Sequence, residues 1–96
     1  MIKNIFLTLV IFGFVNVHAF DINSYCHEVA GAVGGSYVIE KTCREQEHKA
    51  KSNIDSMYVS SRIKSYCKEV AQAIGGSYTI METCIQQEIE AKNSLK

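Results

Sequence analysis

SYCHEVAGAVGGSYVI (residues 24–39) and SYCKEVAQAIGGSYTI (residues 65–80) are one segment written twice, 41 residues apart. The match continues through Thr42-Cys43 with Thr83-Cys84, Gln46-Glu47 with Gln87-Glu88, and Ala50-Lys51 with Ala91-Lys92. From Ser24 to Lys51, 18 of 28 positions are identical. Chance does not produce such agreement. The chain reads as a duplicated module of about forty residues, a repeat length typical of helical pairs. A residue kept in both copies is one that serves the unit itself.

Each unit reads as helix, Gly-Gly turn, helix. Ile22, Cys26, Val29 and Val33 recur at spacings of four, three and four, which is one face of a helix. Ile63, Cys67, Val70 and Ile74 repeat the pattern. Gly34-Gly35 and Gly75-Gly76 supply the positive-φ positions that end a helix. Ser36 and Ser77 can cap the helix that follows, and Thr79 with Glu82 offers a capping box. The second stripe is Ile39, Cys43, Gln46, Ala50 and Ile54, matched by Ile80, Cys84, Gln87, Ala91 and Leu95. Glu47/Lys51 and Glu88/Lys92 are favourable i,i+4 pairs, each worth ~0.3–0.5 kcal/mol. The β-formers after each Gly-Gly, residues 36–39 and 77–80, leave a short strand open as the competing reading.

The cysteines fix the pairing of these helices. Cys26 and Cys43 stand symmetrically about Gly34-Gly35, as Cys67 and Cys84 do about Gly75-Gly76. In an antiparallel hairpin, residues equidistant from the turn lie opposite one another, and each Cys falls on its helix's apolar stripe. The expected disulfides are therefore Cys26–Cys43 and Cys67–Cys84, one of three possible connectivities. Closing such a loop contributes ~3 kcal/mol by constraining the unfolded chain. The short Cys spacings of zinc modules and of redox motifs are absent. The arrangement resembles the stapled helical hairpins of the twin-cysteine intermembrane-space family. Each helix here carries one Cys where that family carries two, so no function is carried over.

Outside the repeats the amino terminus has its own pattern. Lys3 precedes an apolar run from Ile5 to Val15, and Val17-His18-Ala19 provides the small residues of a cleavage site. That is a secretory signal peptide, residues 1–19, cut after Ala19. The run is shorter than the roughly 20 residues that span a membrane, so no stable anchor is expected after cleavage. The remaining chain has one Phe, five Tyr and a single Leu, Leu95. So thin a core needs a staple, and an exported chain is where disulfides persist.

The expected organisation is all-α: a signal peptide, a helical hairpin over 20–54, a linker over 55–62 and a second hairpin over 63–96. Met57-Tyr58-Val59 in the linker is apolar enough to pack. The whole chain of 96 residues balances ten Lys/Arg against ten Asp/Glu. That balance lacks the basic excess of a nucleic-acid binder. The length makes a large catalytic cleft improbable.

The duplicated polar set supplies the candidate functional residues. Tyr25, Glu28 and Tyr37, with Tyr66, Glu69 and Tyr78, form a candidate binding face presented twice, since aromatic side chains anchor interfaces. Gln46 and Gln87 occupy positions in the apolar stripes, where each would hydrogen-bond the Tyr opposite, Tyr25 or Tyr66, to close its hairpin. His27 and His48 are not kept in the second copy and read as exposed helix residues. No catalytic group, metal or cofactor is expected. The leading functional expectation is a periplasmic or secreted, non-enzymatic interaction module of the binding, inhibitor or adaptor type. Its partner would be another protein of the envelope or outside the cell. A secreted toxin or membrane-active peptide is the first alternative, although neutral charge disfavours it, and a thiol redox protein is the second.

Overall fold

The computed structural model describes residues 19–96. The expected signal peptide, apart from Ala19, lies outside the described residues. Four helices follow in order: α1 (Ile22–Ala32), α2 (Tyr37–Asp55), α3 (Ser61–Ala73) and α4 (Tyr78–Ser94). The described residues contain no strand. The segments after each Gly-Gly are helical, so the strand alternative is set aside.

Local chemistry explains the boundaries. Asp21, Ser36, Ser60 and Ser77 cap the four helices, each side chain accepting from the backbone N–H three residues on. The capping side chains thereby satisfy donors that a helix start leaves open. α1 and α3 end in the same Schellman turn. Gly35 N–H donates to Ala30 O at 2.7 Å and Gly76 N–H to Ala71 O at 2.9 Å. Gly34, Gly35, Gly75 and Gly76 all have φ between 82° and 103°, a region closed to most side chains. The expected Thr79–Glu82 capping box does not form. Ser77 is the cap, which places Thr79 inside the helix, and Glu82 accepts instead from Asn53 Nδ2 at 2.9 Å.

Both expected disulfides are present, Cys26–Cys43 and Cys67–Cys84, each with Cα atoms 5.5 Å apart. They clasp α1 to α2 and α3 to α4. The two hairpins then meet through α2 and α4. Ile22 and Cys26 of α1, Ala50 and Ile54 of α2, Ile63, Cys67 and Ala71 of α3, and Tyr78, Met81 and Ile85 of α4 form one core. Met57 and Val59, between α2 and α3, pack against it while Tyr58 points to solvent. A single core therefore serves both hairpins, as a chain this small requires.

The inward stripe of α2 differs from the expected one. Gln46 and Gln87 are exposed, and neither bonds Tyr25 or Tyr66. The helix turns inward four residues after Cys43, so the buried side chains are Glu47, Ala50 and Ile54. Three- and four-residue steps both lie on a helix face, and polarity does not choose between adjacent Gln46 and Glu47. Lys51 does not pair with Glu47 either: its Nζ lies 3.0 Å from Asp55 Oδ2. No helix among the described residues is long and apolar enough to cross a membrane.

Candidate functional site

The joint between the hairpins centres on Glu47, which is only 3% exposed. Its carboxylate accepts from Ser77 Oγ at 2.7 Å, from the Tyr78 N–H at 2.6 Å and from the Thr79 N–H at 3.3 Å. A side chain from the first hairpin thus caps the last helix of the second. The start of α4 suits an anion, because its first N–H groups have no partners within the helix and carry the positive end of its dipole. Ser77 works in both directions: its hydroxyl donates to Glu47 and accepts from the Ile80 N–H at 3.2 Å.

Apolar contacts seal this polar centre. The Tyr78 ring lies 4.8 Å from that of Phe20, and its hydroxyl accepts from the Phe20 N–H at 3.1 Å. Lys51 Nζ sits 6.0 Å from the centroid of the same ring, within cation–π range. Gly76 faces Phe20 so closely that a Cβ there would stand 3.3 Å from the ring, and a Cβ at Gly75 would stand 3.5 Å from Tyr25. Gly76 is therefore favoured by close approach as well as by its turn, whereas at Gly75 the turn alone requires glycine.

The equivalent positions 41 residues away present the same groups with nothing against them. At the start of α2, Tyr37 is 88% exposed and Val38 is 75% exposed. Ser36 accepts from the Ile39 N–H at 3.2 Å. Its own hydroxyl, and the Tyr37 and Val38 N–H groups, have no partner among the described residues. Glu88, the equivalent of Glu47, is half-buried and also without a hydrogen-bond or ion-pair partner among them. It lines a cleft of about 380 Å³ with Ile63, Tyr66, Ala91, Lys92 and Leu95. Those five correspond to Ile22, Tyr25, Ala50, Lys51 and Ile54, all of which contribute to the joint or to the core beneath it.

One stripe differs between the hairpins. Met81 and Ile85 are buried and Ile89 packs against the core, whereas the equivalent residues of α2 are Glu40, Arg44 and His48. Arg44 Nη2 lies 2.7 Å from Glu40 Oε2, and His27 Nδ1 lies 3.4 Å from Glu40 Oε1. Hydrogen bonding from the Arg44 guanidinium, foremost among these effects, holds the Glu40 carboxyl below its ordinary range. At the joint, the hydrogen bond to Asp55 raises the pKa of Lys51.

The candidate binding residues are thereby divided. Tyr78 is buried and Tyr25 half-buried at the joint, while Tyr37 and Tyr66 are exposed. Glu28 and Glu69 are exposed on α1 and α3. Sequence reasoning missed Glu47 and Phe20, and with them the role of Glu88. The signal for Glu47 is retention of the acid in both copies, and the expected ion pair with Lys51 does not account for it. Among the described residues no group of three His, Cys, Asp or Glu side chains could hold a metal ion. What the arrangement offers chemically is a carboxylate matched to a helix start, and an open helix start of the same sequence. No family model matches the chain, and no curated protein or solved structure does.

Proposed function

We propose that this is a small exported interaction module, non-enzymatic, in which a duplicated stapled hairpin provides two related binding surfaces. One observation carries the reading. The Gly-Gly-Ser-Tyr helix start of the second hairpin is covered by protein, through Glu47, Phe20 and Tyr25. The identical start of the first hairpin stands open with Val33, Tyr37 and Val38 exposed around it. A surface that already receives protein in one context is suited to receive it in another, and exposed aromatic anchors support that role. Export to a periplasmic or extracellular compartment is supported by the amino-terminal pattern and by two closed disulfides, which persist where thiols are not kept reduced. Burial of the Cys26 and Cys67 side chains favours staples over the redox alternative.

A photo-reactive phenylalanine analogue at position 37 tests the reading in cells that make the protein. The expected result is a defined protein adduct from position 37 and none from an analogue at Lys49, on another exposed part of α2. Equal adduct patterns from both positions, or none from either, would remove the reading.

A further inference from the structure

We propose that the open cleft around Glu88 receives the helix start of a second copy of this chain, at Ser36, Tyr37 and Val38. The proposal rests on the interaction-module reading and names its partner. The joint inside the chain is heterologous: a carboxylate face on the first hairpin meets a helix start on the second. Contacts of that kind leave one complementary half at each end. Both halves remain here. Glu88 has no partner among the described residues, and the three donors it would satisfy have none. Glu88, Tyr66, Ala91 and Lys92 are identical to their counterparts in the joint, as are Gly34, Gly35, Ser36 and Tyr37 to theirs.

Repeating the joint between molecules assigns each contact. The Glu88 carboxylate accepts from the Ser36 hydroxyl and from the Tyr37 and Val38 N–H groups of the next copy. Lys92 lies over its Tyr37 ring, as Lys51 lies over Tyr78, and Tyr66 faces its Gly34.

Two of the changed sites remain compatible with such a contact. Met81 shares a surface hollow with Lys51 and Ile54; shifted by one repeat, Glu40 lies beside Lys92 and Leu95, an acid against a base. The Asn53–Glu82 hydrogen bond becomes Ser94 opposite Lys41, again two polar groups that can pair. Phe20 has no apolar equivalent, since Ser61 stands there, and Arg44 replaces the buried Ile85. The contact between chains is therefore weaker than the one within the chain. It forms reversibly and head to tail.

Sedimentation equilibrium of purified protein with both disulfides closed, from about 10 μM to about 1 mM, tests the assignment; the upper value is the effective concentration a short linker supplies. The mass average should rise across that range. Glu88→Ala should weaken association ~10–100-fold, the loss expected for hydrogen bonds to a charged group. Tyr37→Asp, which places an acid opposite Glu88, should abolish it. Tyr37 is exposed and Glu88 half-buried without a partner among the described residues, and unchanged melting curves would show that the variants fold. A mixture of the two variants keeps one intact cleft and one intact helix start, so it should form a heterodimer and stop there. Wild-type protein that stays monomeric to 1 mM, or association undiminished by Glu88→Ala, overturns the proposal. Adducts to a different protein from position 37 would then leave the interaction-module reading standing with another partner.

Discussion

Gly-Gly-Ser-Tyr begins α2 and α4 alike, and the two starts have opposite fates. Tyr37 is 88% exposed and Tyr78 is 8% exposed. Backbone turn, Schellman bonds and Ser cap are the same at both, so local sequence fixes the helix boundary and has no say in burial. What separates the two is the face three, seven and eleven residues beyond the Tyr. Where α4 has Met81, Ile85 and Ile89, α2 has Glu40, Arg44 and His48. At these three of the ten positions that differ between the copies, apolar side chains packed into the core of one hairpin are replaced by polar ones at the surface of the other.

The largest test of this comparison is to exchange the stripe. Ile85 is fully buried, and Ile85→Arg imports the residue found at position 44. Burying an unpaired guanidinium there should cost at least ~4 kcal/mol, enough to unfold a chain of marginal stability. Arg44→Ile, the reverse exchange, should change stability by less than ~1 kcal/mol, because it removes a surface ion pair. Urea denaturation of both variants measures the contrast. A loss of under ~1 kcal/mol for Ile85→Arg would mean that α2 and α4 do not pack as a common core.

A smaller but cleaner contrast uses one substitution at two equivalent sites. Glu47→Ala strands the Ser77 hydroxyl and two backbone N–H groups in a buried place, and should cost ~3 kcal/mol. Glu88→Ala removes a carboxylate without a partner and should fall within ~0.5 kcal/mol of the parent. Thermal melting at low protein concentration, where the chain is monomeric, isolates these values. Equal losses at the two positions would show that the acid acts within its own hairpin, and the cross-hairpin cap would lose its importance.

That pair of positions also marks how far the sequence could be read. The hairpins, their Gly-Gly turns and both disulfides follow from symmetry about residues 34–35 and 75–76, since local rules and Cys spacing suffice for them. The joint does not follow. Glu47 and Gln46 are adjacent, equally retained in the second copy and equally consistent with the stripe through Cys43. Only the position of α4 decides which of them turns inward. Phe20 stood beside a predicted cleavage site, where a single aromatic residue carries no period, and its contact with Tyr78 spans 58 residues of sequence. Repetition showed which residues the unit keeps; it could not show that one copy uses them on the other.

The smallest expected effect concerns the polar stripe itself. Glu40 in the first hairpin has its pKa lowered below the ordinary 4.5 by the Arg44 hydrogen bond foremost. A carboxyl with a depressed folded-state pKa stabilises the fold above its unfolded value, and that contribution fades as pH falls through the folded value. Wild type should therefore hold a small, constant melting-temperature advantage over Glu40→Gln above about pH 5.5, shrinking below about pH 4.5 as the carboxyl protonates. Salt should shrink it too, because the partners of Glu40, His27 and Arg44, reach into solvent. The corresponding Met81→Gln comparison should show no such pH dependence, since Met81 does not titrate. An NMR titration of the Glu40 carboxyl carbon with an inflection at or above 4.5 would show that Arg44 does not hold it. The polar stripe would then matter only for its solubility, with no fixed ion pair at the outer face of the first hairpin.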